Sequence, residues 1–245
     1  MKILALDTSG LVATVALAED DRLTAVYSIQ NKTTHSQILM PMMDSIKNLV
    51  GLEMETIDAI AVAAGPGSFT GLRIGSATAK GLGLALDKPI VSVPTVDGIA
   101  YNLYGQDKII CPMMDARRSQ VYTGIYTFEP VNEGLGNERS YDMKIIHEQF
   151  VTSIEDIADK LNEIGKEVIL LGDGVPVYKE KLSELLKVSF SEAPIFNNRQ
   201  SAATVAALGI KYYKEGKMIH ADDFAPEYLR ASQAEREARE KEKRS

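Results

Sequence analysis

The stretch Gly65-Pro66-Gly67-Ser68-Phe69-Thr70-Gly71-Leu72-Arg73-Ile74-Gly75 holds the residue types best suited to chemistry in this chain. Its glycines permit positive φ and close backbone approach. It lies where a strand should hand over to a helix, and a helix N-terminus offers free N–H groups to an anion. Two readings stand: a phosphate cradle, or a tight turn capped by Ser68 or Thr70. No Gly-Lys-Ser/Thr follows at the Walker spacing, and the neighbouring cation is Arg73. A second candidate is Asp7-Thr8-Ser9-Gly10, a turn of the kind that takes a phosphate, with Asp7, Thr8 and Ser9 as its contacts. Asp7 and the later Asp115 could hold a metal–nucleotide or act as a base. The plainer role, preferred for both, is an aspartate bonding its own following backbone in a hairpin.

Other catalysts are thin. The histidines are His35, His147 and His220, with no His-Glu-x-x-His to bind zinc and no Gly-x-Ser-x-Gly elbow. Cys111 is the one cysteine, which forbids a disulfide within the chain and suits a reducing compartment. It reads as a small buried hydrophobe in a strand.

The elements that must position these residues repeat. Strands are expected at Lys2–Asp7, Val12–Ala18 and Leu23–Ile29, from their apolar alternation. Thr34 and Gln37 form a capping-box pattern, and Ile38, Leu39, Met42, Met43, Ile46, Leu49 and Val50 then recur at helical spacing. Pro41 should kink or delay that helix. A strand (Ala59–Ala63), the glycine loop, a helix over about 70–86, a strand (Pro89–Val93) and a short helix (Thr95–Tyr104) complete the first unit. The second begins at Lys108: strands Ile109–Met114 and Gln120–Phe128, a weaker one at Met143–Glu148, helix Ser153–Ile164, strand Glu167–Leu171 and helix Pro176–Leu186. A last helix spans about Ser201–Lys214, and both units place an aspartate at their first hairpin turn. The order predicts a duplicated α/β unit, with lobes at 1–106 and 107–220, the last helix returning towards the hinge, and an extension at 221–245. The stretch Phe128–Tyr141 reads as a surface loop. Ala234–Ser245 reads as a solvated charged helix rather than an RNA-binding arm.

The helix over 70–86 carries Gly71, Gly75, Gly81 and Gly83 among Ser76, Ala77 and Ala79. Each interior glycine costs roughly 1 kcal/mol relative to alanine, so several need a reason, and close approach of another element supplies one. With the methionine-rich helix before it, this defines an expected partner face of Met42, Met43, Ile46, Gly71, Gly75 and Ala79. The plainer alternative is that both helices pack in the chain's own core.

With 245 residues, 45% hydrophobic and 25% charged, the chain has an ordinary globular composition. No apolar run reaches the ~18 residues of a membrane helix, and the N-terminus runs into a strand without a signal-peptide pattern. A formal charge of -7 with scattered Lys and Arg does not suit a protein gripping nucleic acid alone.

Taken together, Leu6-Asp7-Thr8-Ser9, Thr34-His35-Ser36, Gly65–Gly75, Val91-Ser92-Val93-Pro94, Met114-Asp115-Ala116-Arg117 and Pro226-Glu227-Tyr228-Leu229-Arg230 resemble the TsaB (YeaZ) family. Residues 131–220 add little to the resemblance. It implies an actin-like ATPase (ASKHA, ribonuclease H-like) fold and a cytoplasmic, non-catalytic subunit in threonylcarbamoyladenosine synthesis on tRNA. It implies pairing with a TsaD-like transferase, recruitment of a TsaE-like ATPase, tRNA contact only through the complex, and a homodimer when alone. The threonylcarbamoyl-adenylate would come from a separate synthase. No tightly bound cofactor is implied, only ATP or ADP at the interface of the complex.

The TsaD family carries Val-x-His-x-x-Gly-His, whose histidines bind the catalytic metal. This chain reads Val93-Pro94-Thr95-Val96-Asp97-Gly98-Ile99, with Thr95 and Ile99 at the ligand positions. Neither replaces imidazole on a transition metal. Rival expectations are an actin-like ATPase or small-molecule kinase and, further off, a glycoprotease-like peptidase.

Overall fold

The computed structural model describes residues 1–131 and 140–230. The first unit runs β1 (Lys2–Asp7), β2 (Ala13–Glu19), β3 (Arg22–Ile29), α1 (His35–Val50), β4 (Ala59–Gly65), α2 (Phe69–Leu86), β5 (Ile90–Pro94) and α3 (Thr95–Ala100). The second repeats it: β6 (Ile109–Arg117), β7 (Gln120–Val131), β8 (Ser140–Ser153), α4 (Ile154–Ile164), β9 (Val168–Leu171), α5 (Gly174–Leu185), β10 (Phe190–Glu192) and α6 (Ala202–Lys214). The two five-stranded sheets have the orders β3-β2-β1-β4-β5 and β10-β9-β6-β7-β8, the same topology read in opposite directions. In each, the first three strands pair antiparallel, and the later two join parallel to the first. This is the duplicated α/β unit that the order of elements predicts. Among the described residues, no helix is long and apolar enough to cross a membrane.

Each sheet buries both faces. On the first, Leu4, Leu6, Val15 and Val62 pack under Leu39, Met42 and Ile46 of α1 and Ala79 of α2. Its opposite face meets Ala202, Val205 and Ala206 of α6. On the second, Ile109, Met113 and Leu170 pack beneath α4 and α5. Its other face takes Val96, Ile99 and Ala100 of α3. The last helix of each unit therefore covers the other unit's sheet. By packing, α6, the helix expected to return towards the hinge, lies on the first lobe's sheet, because its Ala/Val/Gly face fits the small side chains of β1, β2 and β4. A Cβ on Gly209 would meet that of Ala61 at 2.6 Å.

Other differences have local causes. β10 escapes the sequence pattern because it is three residues long. β7 and β8 run to Val131 and from Ser140, so the expected loop at Phe128–Tyr141 is shorter, and Phe128 is core. The rest of that loop and the tail Ala234–Ser245 lie outside the described residues. Thr34 caps α1 by position, but its side chain makes no capping bond; its hydroxyl lies 3.3 Å from that of Ser36. The helix continues through Pro41 because Leu39, Met42, Met43 and Ile46 hold it to the sheet on both sides.

The small residues of α2 have one dominant cause. The β1–β2 turn presses backbone to backbone on the helix, and the Thr8 hydroxyl donates to the Gly71 carbonyl at 2.7 Å. A Cβ on Gly71 would run into the Thr8 carbonyl, and one on Gly75 would meet Thr8 Oγ1 at 2.5 Å. Gly83 is pinned likewise by Ala221 and the Lys88 carbonyl. Gly81 faces open space. Opposite outcomes are expected at the two kinds of glycine. Gly71→Ala should lose about 1–3 kcal/mol by overpacking, whereas Gly81→Ala should gain up to about 1 kcal/mol of helix propensity. Urea midpoints of the two variants check the pair.

Candidate functional site

Between the lobes lies a cleft of about 430 Å³, walled by the β1–β2 turn, the glycine loop, the β6–β7 turn and the loop opening α5. Both lobes present the same device at its mouth. Asp7 Oδ1 accepts from the Ser9 N–H at 2.8 Å and the Ser9 hydroxyl at 2.6 Å. Asp115 Oδ1 accepts from the Arg117 N–H at 2.8 Å. Each aspartate thus closes its own turn on the residue two positions on. Asp7, Thr8 and Ser9 are all buried. Ser9 gives its hydroxyl proton to Asp7 and Thr8 gives its own to Gly71, so the proposed phosphate contacts are committed within the fold. Ser68 N–H donates to the Ser9 carbonyl at 2.7 Å, and Ser68 Oγ caps α2 by accepting from Gly71 N–H at 3.3 Å. Burial pushes the Asp7 carboxyl up to about 6, against the opposing pull of the Ser9 bonds and of His35.

The second lobe's wall is drawn by Asp115, which also accepts from the Tyr178 hydroxyl at 2.8 Å and pairs with the Arg117 guanidinium at 3.2 Å. Burial, then Asp115, pushes the Tyr178 hydroxyl up to about 12. Gly172, at φ 106°, lets the chain pass against the Met113 carbonyl on its way into α5. Arg117, Arg118 and Ser119 hold successive positive φ values of 64°, 59° and 56°, a left-handed run that favours glycine.

The positions read against the TsaD metal motif are core. Thr95 and Ile99 are fully buried, and Thr95 Oγ1 accepts the Gly65 N–H at 3.2 Å. Between them Asp97 accepts from the Tyr126 hydroxyl of β7 at 2.7 Å and the Tyr212 hydroxyl of α6 at 3.3 Å. One carboxylate therefore ties α3 to both exchanged partners, and burial raises its pKa. Sequence reasoning missed this group, whose signal was a lone acid in an otherwise apolar short helix. Cys111 is buried as expected, its thiol pushed up to about 12 by burial.

The expected partner face is turned inward. Met42, Met43, Ile46, Gly71, Gly75 and Ala79 are all buried in this chain's own first lobe. The physical reason is that one amphipathic face serves one neighbour, and the sheet has taken it. Among the residues the two helices present outward are Met40, Asp44, Lys47 and Leu49 on α1, and Arg73, Ala77, Gly81, Leu84 and Ala85 on α2.

A further feature had no expected role. The segment after Phe224, which is anchored in the first core, crosses the cleft. Glu227 N–H donates to the Ala64 carbonyl at 2.7 Å, and its carboxylate accepts from Gln149 of the second lobe at 3.0 Å. The Tyr228 ring lies 4.9 Å from that of Phe69. Arg230 donates to the Ala116 carbonyl at 2.7 Å, at the base of the left-handed turn.

Residues 28–238 match the family model for TsaD, tRNA N6-adenosine threonylcarbamoyltransferase. The chain is 33% identical to the tRNA threonylcarbamoyladenosine biosynthesis protein TsaB of Bacillus subtilis, over 96% of each chain. It is 27% identical to the protein of the same name from Escherichia coli, over 94% of this chain and 95% of that one. The crystal structure of YeaZ from Pseudomonas aeruginosa superposes with a TM-score of 0.74 at 26% identity, covering 93% of this chain and 99% of that one.

The buried Asp7 carboxyl makes a pH-dependent difference measurable. Its folded pKa of about 6 lies above the ordinary 3.8, so folding favours its protonated form. Stability from this group is full below about pH 4 and lost as pH rises through about 6. Asp7→Asn keeps an acceptor for Ser9 without the charge. Its advantage over the natural chain should be nil below about pH 4 and reach about 3 kcal/mol above pH ~7. Denaturant unfolding across that range reads it directly.

Proposed function

The chain belongs to the TsaB (YeaZ) family, and on that premise we propose that it is the non-catalytic subunit which holds a TsaD-like transferase during threonylcarbamoyladenosine synthesis on tRNA. The role in that pathway rests on similarity along nearly the whole chain to TsaB proteins. The non-catalytic reading is carried by one observation: Thr95 and Ile99 stand buried where the TsaD motif has its histidine ligands. A threonine hydroxyl engaged by Gly65 N–H and an isoleucine in the core offer a transition metal nothing. The kinase or ATPase reading meets a turn whose hydroxyls are already spent on Asp7 and Gly71.

TsaD docks on the outward face of the α1–α2 pair, where Ala77, Gly81 and Ala85 follow at intervals of four on α2 and let another helix approach closely. In the absence of TsaD a second copy takes that face, giving a two-fold dimer. TsaE joins the pair, tRNA is gripped by the assembled complex, and ATP or ADP binds at its interface. The work is done in the cytoplasm, where tRNA is. The acidic net charge of -7 agrees with an RNA grip supplied by the partner.

Reconstitution tests the reading: tRNA modification from threonylcarbamoyl-adenylate should need TsaD and this chain together, and neither should suffice. Ala77→Arg on the exposed face should weaken co-purification with TsaD about tenfold or more at an unchanged melting temperature. Ala79→Leu, in the core, should instead lower the melting temperature. Wild-type pairing by Ala77→Arg and Gly81→Arg, read by sedimentation, would place the docking face elsewhere.

A further inference from the structure

The segment Pro226–Arg230 touches both lobes through one backbone bond and three side chains of different kinds. On the first lobe its backbone pairs with Ala64, and Tyr228 stacks on Phe69. On the second, Gln149 donates to the Glu227 carboxylate, and Arg230 reaches the Ala116 carbonyl. Gly65, at φ 127°, makes room: a Cβ there would strike the Glu227 carbonyl. The opening glycine of the loop is thus required by this segment, whereas Gly67 and Gly71 are required by the β1–β2 turn. The segment has no regular secondary structure, and Glu227 and Tyr228 are exposed although Phe224 before them is core. Such a stretch, held by a few partly solvated bonds beyond a buried anchor, sits at the low end of local stability.

We propose that the cleft between the lobes is a peptide-binding groove and that Pro226–Arg230 is its resident ligand, a releasable latch that fixes the angle between the lobes. The groove takes an extended peptide by its backbone at Ala64, an acidic side chain at Gln149, an aromatic ring at Phe69 and a guanidinium at Ala116. A partner that captures Tyr228 and Arg230 frees the lobes to move as a hinge. Phe69 opens α2 and its ring carries the Arg73 guanidinium of the outward face at 4.0 Å, but Tyr228, Arg230 and Gln149, at which the latch is tested, lie off the α1–α2 docking face.

The test uses the full chain with spin labels at Asp21→Cys in the first lobe and Glu180→Cys in the second, diluted into unlabelled chain. Both positions are exposed, whereas Cys111 is buried and its thiol is held protonated. The natural latch should give one narrow interlobe distance distribution. Tyr228→Ala and Arg230→Ala should each broaden it about twofold or more. Excess synthetic peptide Pro-Glu-Tyr-Leu-Arg should narrow the variants' distribution again, and a peptide of scrambled order should not. Gln149→Ala, which removes a single bond from the other side, should broaden it in the same direction and covers the case in which a strap variant folds poorly. A distribution unchanged in all three variants overturns the latch. Broadening that the peptide fails to reverse overturns the groove.

Discussion

The backbone contact between the β1–β2 turn and the glycine face of α2 is the constraint on which the rest of the first lobe depends. Thr8 lies so close to α2 that no side chain fits at Gly71, and its hydroxyl is used up on the Gly71 carbonyl. Three consequences follow from one approach. The helix must be poor in side chains on that face, which costs propensity that only burial can offset. The two hydroxyls of the turn are spent within the fold, on Gly71 and on Asp7. And the buried stripe is no longer available to a partner, while the opposite side of α2, where Gly81 meets nothing, stays exposed.

The duplicated topology explains how the two lobes become one body. Two identical α/β units would each leave one sheet face bare, because two helices cover only one side. Exchanging the last helix of each unit closes both bare faces and interlocks the lobes through α3 and α6. Asp97 sits at the crossing, bonded to a tyrosine from the second sheet and to one from α6. A buried carboxylate costs desolvation, and its two hydroxyl partners are what make the position tolerable. Asp97 is thus a polar tie between α3, the second sheet and α6 in otherwise apolar surroundings.

On the open side of the cleft, by contrast, the lobes meet through the C-terminal segment. Its bonds to Ala64 and Ala116 are to backbone carbonyls, one from the end of a first-lobe strand and one from a second-lobe turn. The hinge side is therefore fixed by dry packing and the mouth by a strap lying in water.

The sequence by itself determined the α/β class, the duplication, the turn aspartates and a cap for α2 at Ser68 or Thr70, of which the structure uses Ser68. These depend on local rules: apolar period, hydroxyl and carboxylate turn chemistry, and glycine after a strand. It also carried the TsaB resemblance, through the glycine loop above all. Only the tertiary structure decided which way each face turned. Met42, Gly75 and Ala79 had the composition of an interface and of a core alike, and periodicity cannot name the neighbour that claims a stripe. The exchange of α3 and α6, the Asp97 tie and the strap over Gly65 join residues some 30 to 160 positions apart. Contacts at such separations leave no periodic mark, because they are set by how two finished lobes meet and not by how either chain segment folds.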